Sequence, residues 1–100
     1  MPPETERLRV QLRAMLPELR EKHGVVELGV FGSRVRGDHR PDSDLDILVT
    51  FHKDARLSLF DVIELELLLS DRLGLKVDLA EKPVLKSRLR PYVLAEAQPV

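Results

Sequence analysis

One hundred residues make a chain of 11.4 kDa with 16 basic and 17 acidic side chains, a formal net charge of -1 and no cysteine. That length has room for one domain, spanning 1–100. The charge balance lacks the basic excess of a protein that coats nucleic acid, and the absence of thiols excludes disulfides, a cysteine nucleophile and cysteine-ligated zinc.

The first predicted helix starts after Pro2 and Pro3. Leu8, Leu12, Met15, Leu16 and Leu19 fall three or four apart and form one apolar stripe. Pro17 is expected to kink or restart it, and Gly24 to stop it. Val25–Phe31 reads as a strand ended by Gly32 and Ser33, which open a short helix. Leu45–Phe51 reads as a second strand with Leu45, Ile47, Val49 and Phe51 on one face. Ser58 to Asp61 is a capping-box start for a helix reaching Leu73, with Gly74 as its stop. Leu75 to Leu79 alternates as a third strand, and a last helix falls between Lys86 and Ala97. The expected fold is α/β (α+β), a small mixed sheet with helices on one face.

Strand periodicity then places the acids. If Leu45, Ile47 and Val49 face the helices, Asp44 and Asp46 face away. In the third strand Val77 and Leu79 face inward and Asp78 outward. Three carboxylates emerging on one uncovered face repel one another. At about 4 Å and an effective dielectric near 20, each pair costs on the order of 4 kcal/mol. Such a cluster calls for cations, and all-oxygen donors favour Mg²⁺ or Mn²⁺ over zinc. Beside it in sequence, Gly32-Ser33-Arg34-Val35-Arg36-Gly37 offers backbone N–H groups, a hydroxyl and two guanidinium groups to an anion. Gly32, Ser33, Arg34 and Arg36 are therefore candidate phosphate-binding residues. Anion cradle and acid cluster together suit a metal-bound nucleoside triphosphate.

Gly32-Ser33, ten intervening residues, then Asp44-Leu45-Asp46 resembles the signature of the polymerase-β-type nucleotidyltransferase superfamily. The segments Phe31–Gly37 and Ser43–Val49, with Asp78 at the third acid, resemble its minimal nucleotidyltransferase (MNT) branch. The resemblance implies a polymerase-β-like fold and ATP as substrate, held at Gly32 and Ser33. It also implies two Mg²⁺ ions on the catalytic acids Asp44, Asp46 and Asp78, and in-line transfer of AMP to an acceptor hydroxyl with release of pyrophosphate. It further implies a HEPN-domain toxin as partner, silenced by AMP on a tyrosine, with the MNT chain as antitoxin.

Other residues carry less. His23, His39 and His52 have no ligand spacing among them, and Tyr92 reads as a core anchor. Along Leu59–Leu73 the apolar residues fall on both sides, Ile63 and Leu67 nearly opposite Leu65 and Leu68. The outer face of that helix is expected to meet another chain, a partner or a second copy. No apolar run approaches the roughly 18 residues of a membrane helix, and the start MPPETERLRV lacks a signal peptide, so a cytoplasmic protein is expected. Two other functions compete: neutralisation of a partner by occlusion alone, and nucleotidyl transfer to a small molecule held by a separate subunit.

Overall fold

A computed structural model of the chain describes residues 1–81 and 90–100. Its elements run α1 (Pro3–His23), β1 (Val25–Phe31), α2 (Ser33–Arg36), β2 (Leu45–Phe51), α3 (Leu59–Leu73), β3 (Val77–Glu81), α4 (Arg90–Glu96) and β4 (Gln98–Pro99). Of the expected last helix, 86–89 lie outside the described residues.

Glu4 and Glu6 in the first turn of α1, and Arg20, Lys22 and His23 in its last, complement the helix dipole. Gly24, at φ 67°, closes the helix by donating its N–H to the Leu19 carbonyl. Pro17 does not restart the helix, which runs unbroken from Pro3 to His23. The carbonyl that its missing N–H leaves free belongs to Arg13, and both residues are exposed, so water can take the place of the lost bond.

The sheet order is β3-β2-β1-β4, with β1 antiparallel to β2 and to β4, and β2 parallel to β3. On one face Val25, Leu28, Val30, Leu45, Ile47, Val49 and Val77 pack against Leu8, Leu12 and Leu19 of α1 and Leu65 and Leu69 of α3. An irregularity in the β1–β2 register between Val25 and Glu27 lets Val25 and Leu28 share that face despite their odd spacing.

Two boundaries differ from the sequence reading. The third strand is Val77–Glu81 instead of Leu75–Leu79. Gly74, at φ 75°, ends α3, and Leu75 and Lys76 cross to the sheet. There the Lys76 carbonyl accepts from the Leu45 N–H at 2.9 Å, and the ladder begins at Leu45↔Val77. The shift is an even number of residues, so Asp78 keeps its face. The added strand β4 pairs Gly29↔Pro99 and Val30↔Gln98 at the edge, where a proline costs no ladder bond. Arg9 Nη1 and Arg13 Nε donate to the carbonyls of Pro99 and Val100 at 2.8 and 3.0 Å, tying the chain end to α1.

Candidate active site

β1 delivers the chain to Gly32, whose φ of 84° and ψ of -160° lie in a region open essentially to glycine alone. A second constraint acts on the same residue. A Cβ there would stand 2.0 Å from Asp46 Oδ2. The Gly32 carbonyl accepts from the N–H groups of Val35 and Arg36 at 3.0 and 3.1 Å and starts α2. Gly37, at φ 87°, closes that turn by donating to Ser33.

The acids stand opposite this loop. Asp46 is the register partner of Phe31 on β1 and of Asp78 on β3, so the two carboxylates occupy adjacent strands, typically about 4.8 Å apart, on the uncovered face. Asp44, two residues earlier, precedes β2 in the same alternation. Lys76 Nζ lies 3.8 Å from Asp44 Oδ2. Burial pushes the Asp46 carboxyl up to about 6, with repulsion from Asp78, Asp44 and Glu96 added and Arg36 opposing. Among the described residues no three carboxylate or imidazole groups form a ready-made metal cage. The donor set nonetheless fits a hard divalent cation: every donor is oxygen, and repulsion among the carboxylates outweighs the opposing charge of Arg36 at Asp46.

The two arginines part company. Arg36 stays half exposed at the mouth of the site, its Nη1 2.6 Å from Glu96 Oε1 and its Nε 3.1 Å from Asp38 Oδ2. Arg34 is 3% exposed and turns inward. Its Nε and Nη2 donate to the carbonyls of Ser43 and Pro41 at 3.0 and 3.2 Å, and Glu4 lies 3.5 Å from Nη1. Its own carbonyl accepts from the buried Thr5 hydroxyl at 2.9 Å. The expected phosphate role of Arg34 is therefore corrected: it pins the loop that leads to Asp44.

A cavity of about 670 Å³ opens beside the loop, lined among others by Gly32, Ser33, Arg36, Asp46, Tyr92 and Glu96, with Asp44 and Asp78 outside its lining. Tyr92 is no core anchor. α4 buries none of its side chains, and Tyr92 is 76% exposed along the cavity wall. Glu96 is the residue sequence reasoning missed. Its Oε2 accepts from the Gly32 N–H at 2.9 Å across 64 positions, a pairing no local pattern announces.

The fold thus brings a strand–glycine–serine loop up to paired acids on a small mixed sheet. The profile of the nucleotidyltransferase domain family matches residues 12–99, and the chain belongs to that family. Protein adenylyltransferase MntA of Thermococcus cleftensis is 53% identical over 85 residues, covering 85% of this chain and 84% of the relative. A solved structure described as a candidate minimal nucleotidyltransferase is 44% identical, with a TM-score of 0.76 over 95% of this chain and 94% of that one. A third similarity shows the fold alone, at 19% identity and a TM-score of 0.67 over 94% of this chain and 69% of the other. That structure is a tri-AMPylated Shewanella oneidensis HEPN toxin in complex with MNT antitoxin. The chain is thus an enzyme of the nucleotidyltransferase class, with protein adenylyltransferases among its relatives.

Proposed function

We propose that the chain transfers AMP from ATP to a hydroxyl, that of a tyrosine on a HEPN-domain toxin, and so acts as the antitoxin of a pair in the cytoplasm. The observation that carries this reading is the pairing of Asp46 with Asp78 on the open face beside the Gly32–Ser33 loop. The cavity there, about 670 Å³, is of the size that small-molecule and cofactor sites usually have.

Asp44, Asp46 and Asp78 would hold two Mg²⁺ ions, or Mn²⁺, whose chemistry is to neutralise phosphate charge and acidify the attacking hydroxyl. The Ser33 hydroxyl donates to a phosphate oxygen, Gly32 admits the phosphates close to the backbone, and Arg36 supplies positive charge. Asp78, the most exposed of the acids, stands where an acceptor carried by another protein can arrive and takes the proton of its hydroxyl. The hydroxyl oxygen bonds to the α-phosphorus as the bond to the β-phosphate oxygen breaks.

The reading that neutralisation is occlusion alone draws on α3. Leu59, Phe60, Ile63 and Leu67 are exposed and lie within about 100° of arc around the helix. The outward side is therefore that of Ile63 and Leu67, while Leu65 and Leu68 belong to the core side. A patch of this kind is what a partner covers. One experiment separates the two readings. The chain is incubated with ATP, Mg²⁺ and the HEPN protein, and the intact mass of that protein is measured. An AMP-sized increment, lost with Asp44→Asn plus Asp46→Asn, is the expected result. Neutralisation by the double variant without any increment would establish occlusion instead.

A further inference from the structure

We propose that Glu96 is an internal competitor of the nucleotide: its carboxylate occupies the donors that the phosphates need, so nucleotide entry requires α4 to let go. This rests on the nucleotide reading above. Glu96 Oε2 accepts from the Gly32 N–H at 2.9 Å while Oε1 accepts from Arg36 Nη1 at 2.6 Å. One anionic group thus bridges a backbone amide of the loop and the guanidinium at its far end, the pair of contacts expected of a phosphate. The Gly32 N–H is a single donor and cannot serve carboxylate and phosphate at full strength together.

The surroundings fit a displaceable stand-in. Glu96 shares the cavity with Asp46 and raises the cost of ionising it, so its place depends on the two donors. A polyanion arriving beside Asp46 and Glu96 meets like charge from both, and only Glu96 can leave without dismantling the sheet. α4 itself has no buried side chain and can shift while the strand after it stays held to β1 through two register pairs and to α1 by Arg9 and Arg13. Segments with so few buried contacts open at low cost. Apparent affinity is then reduced by the fraction of molecules in which Glu96 sits on the loop.

The test is binding of a non-hydrolysable ATP analogue with Mg²⁺ to the wild-type chain, Glu96→Gln and Glu96→Ala, each checked for its thermal transition. Glu96→Gln keeps the shape and removes the charge, and its Kd is expected to fall about tenfold. Glu96→Ala is expected to bind at least as tightly. Unchanged or weaker binding by both overturns the inference, since a residue that merely props the loop would weaken binding when removed. Hydrogen exchange on the wild-type chain gives a second reading that needs no variant. The Ala97 N–H, bonded to the Val93 carbonyl at 2.9 Å, should exchange faster once the analogue binds. Slower or unchanged exchange also overturns the inference. Failure of all three proteins to bind the analogue overturns the nucleotide reading and this inference with it.

Discussion

Asp46 concentrates the opposing demands of the site. It sits against Gly32, faces Asp78 across the ladder, and has its carboxyl raised to about 6. A carboxyl held above its unfolded value binds its proton more tightly in the folded chain. Its contribution to stability is complete below about pH 4 and is lost as pH rises through about 6. Asp46→Asn should therefore stabilise the metal-free chain at pH 7.5. The gain is about 1–2 kcal/mol once solvent screening of a half-exposed group is allowed for. Urea unfolding should show that gain vanishing near pH 4, while AMP transfer is lost at every pH. Arg34 makes the opposite case. Its guanidinium is buried on two loop carbonyls with Glu4 nearby, so Arg34→Lys gives up the forked geometry and leaves an acceptor without a donor. The expected cost is about 2–3 kcal/mol in unfolding experiments, with activity falling in step with the folded fraction.

At the scale of elements, α3 presents a packed face and an exposed apolar face on one helix. Ser58 caps it by accepting from the Asp61 N–H, while Asp61 returns a bond to the Ser58 N–H at 2.8 Å. Leu65 and Leu69 bury one side against the sheet, and Glu66 Oε2 accepts from the Leu79 N–H at 2.8 Å, fixing β3 beside the helix. The other side carries Phe60 at 82% and Leu67 at 64% exposure. Replacing both with serine should leave stability within about 0.5 kcal/mol, because neither side chain is packed. Co-purification of the HEPN protein should weaken markedly if this is the covered face. Retention of the complex would move the interface elsewhere.

For the molecule as a whole, the acids and the loop belong to different strands that meet only because β1 and β2 run antiparallel and β3 returns parallel to β2. A divalent ion that binds this arrangement and not the unfolded chain must raise stability by mass action. Mg²⁺ at a hundredfold excess over its Kd should add about 2.7 kcal/mol to unfolding. Calorimetry with and without the ion should show that increment in the wild-type chain and not in Asp44→Asn plus Asp46→Asn.

The alternation of Leu45, Ile47 and Val49 against Asp44 and Asp46, and the Gly32–Ser33 strand end, were enough to place Asp46 on the open face and the loop at the end of β1. Two-residue periodicity fixes the face of a side chain before its neighbours are known. The same logic left Asp78 on the open face even though β3 begins two residues later than its alternation implies. What local pattern could not decide was the fate of each charged side chain. Arg34 and Arg36 are two residues apart in one short helix, yet one is buried on the carbonyls of Ser43 and Pro41 and the other stands in the cavity. Glu96 and Tyr92 reach the site from the far end of the chain through a strand of two residues, too short to leave a periodic trace. Periodicity is a property of neighbouring residues, whereas long-range ion pairs and cavity walls depend on how the chain folds back on itself. The sequence by itself could therefore specify the faces, and only the tertiary structure could specify the contacts.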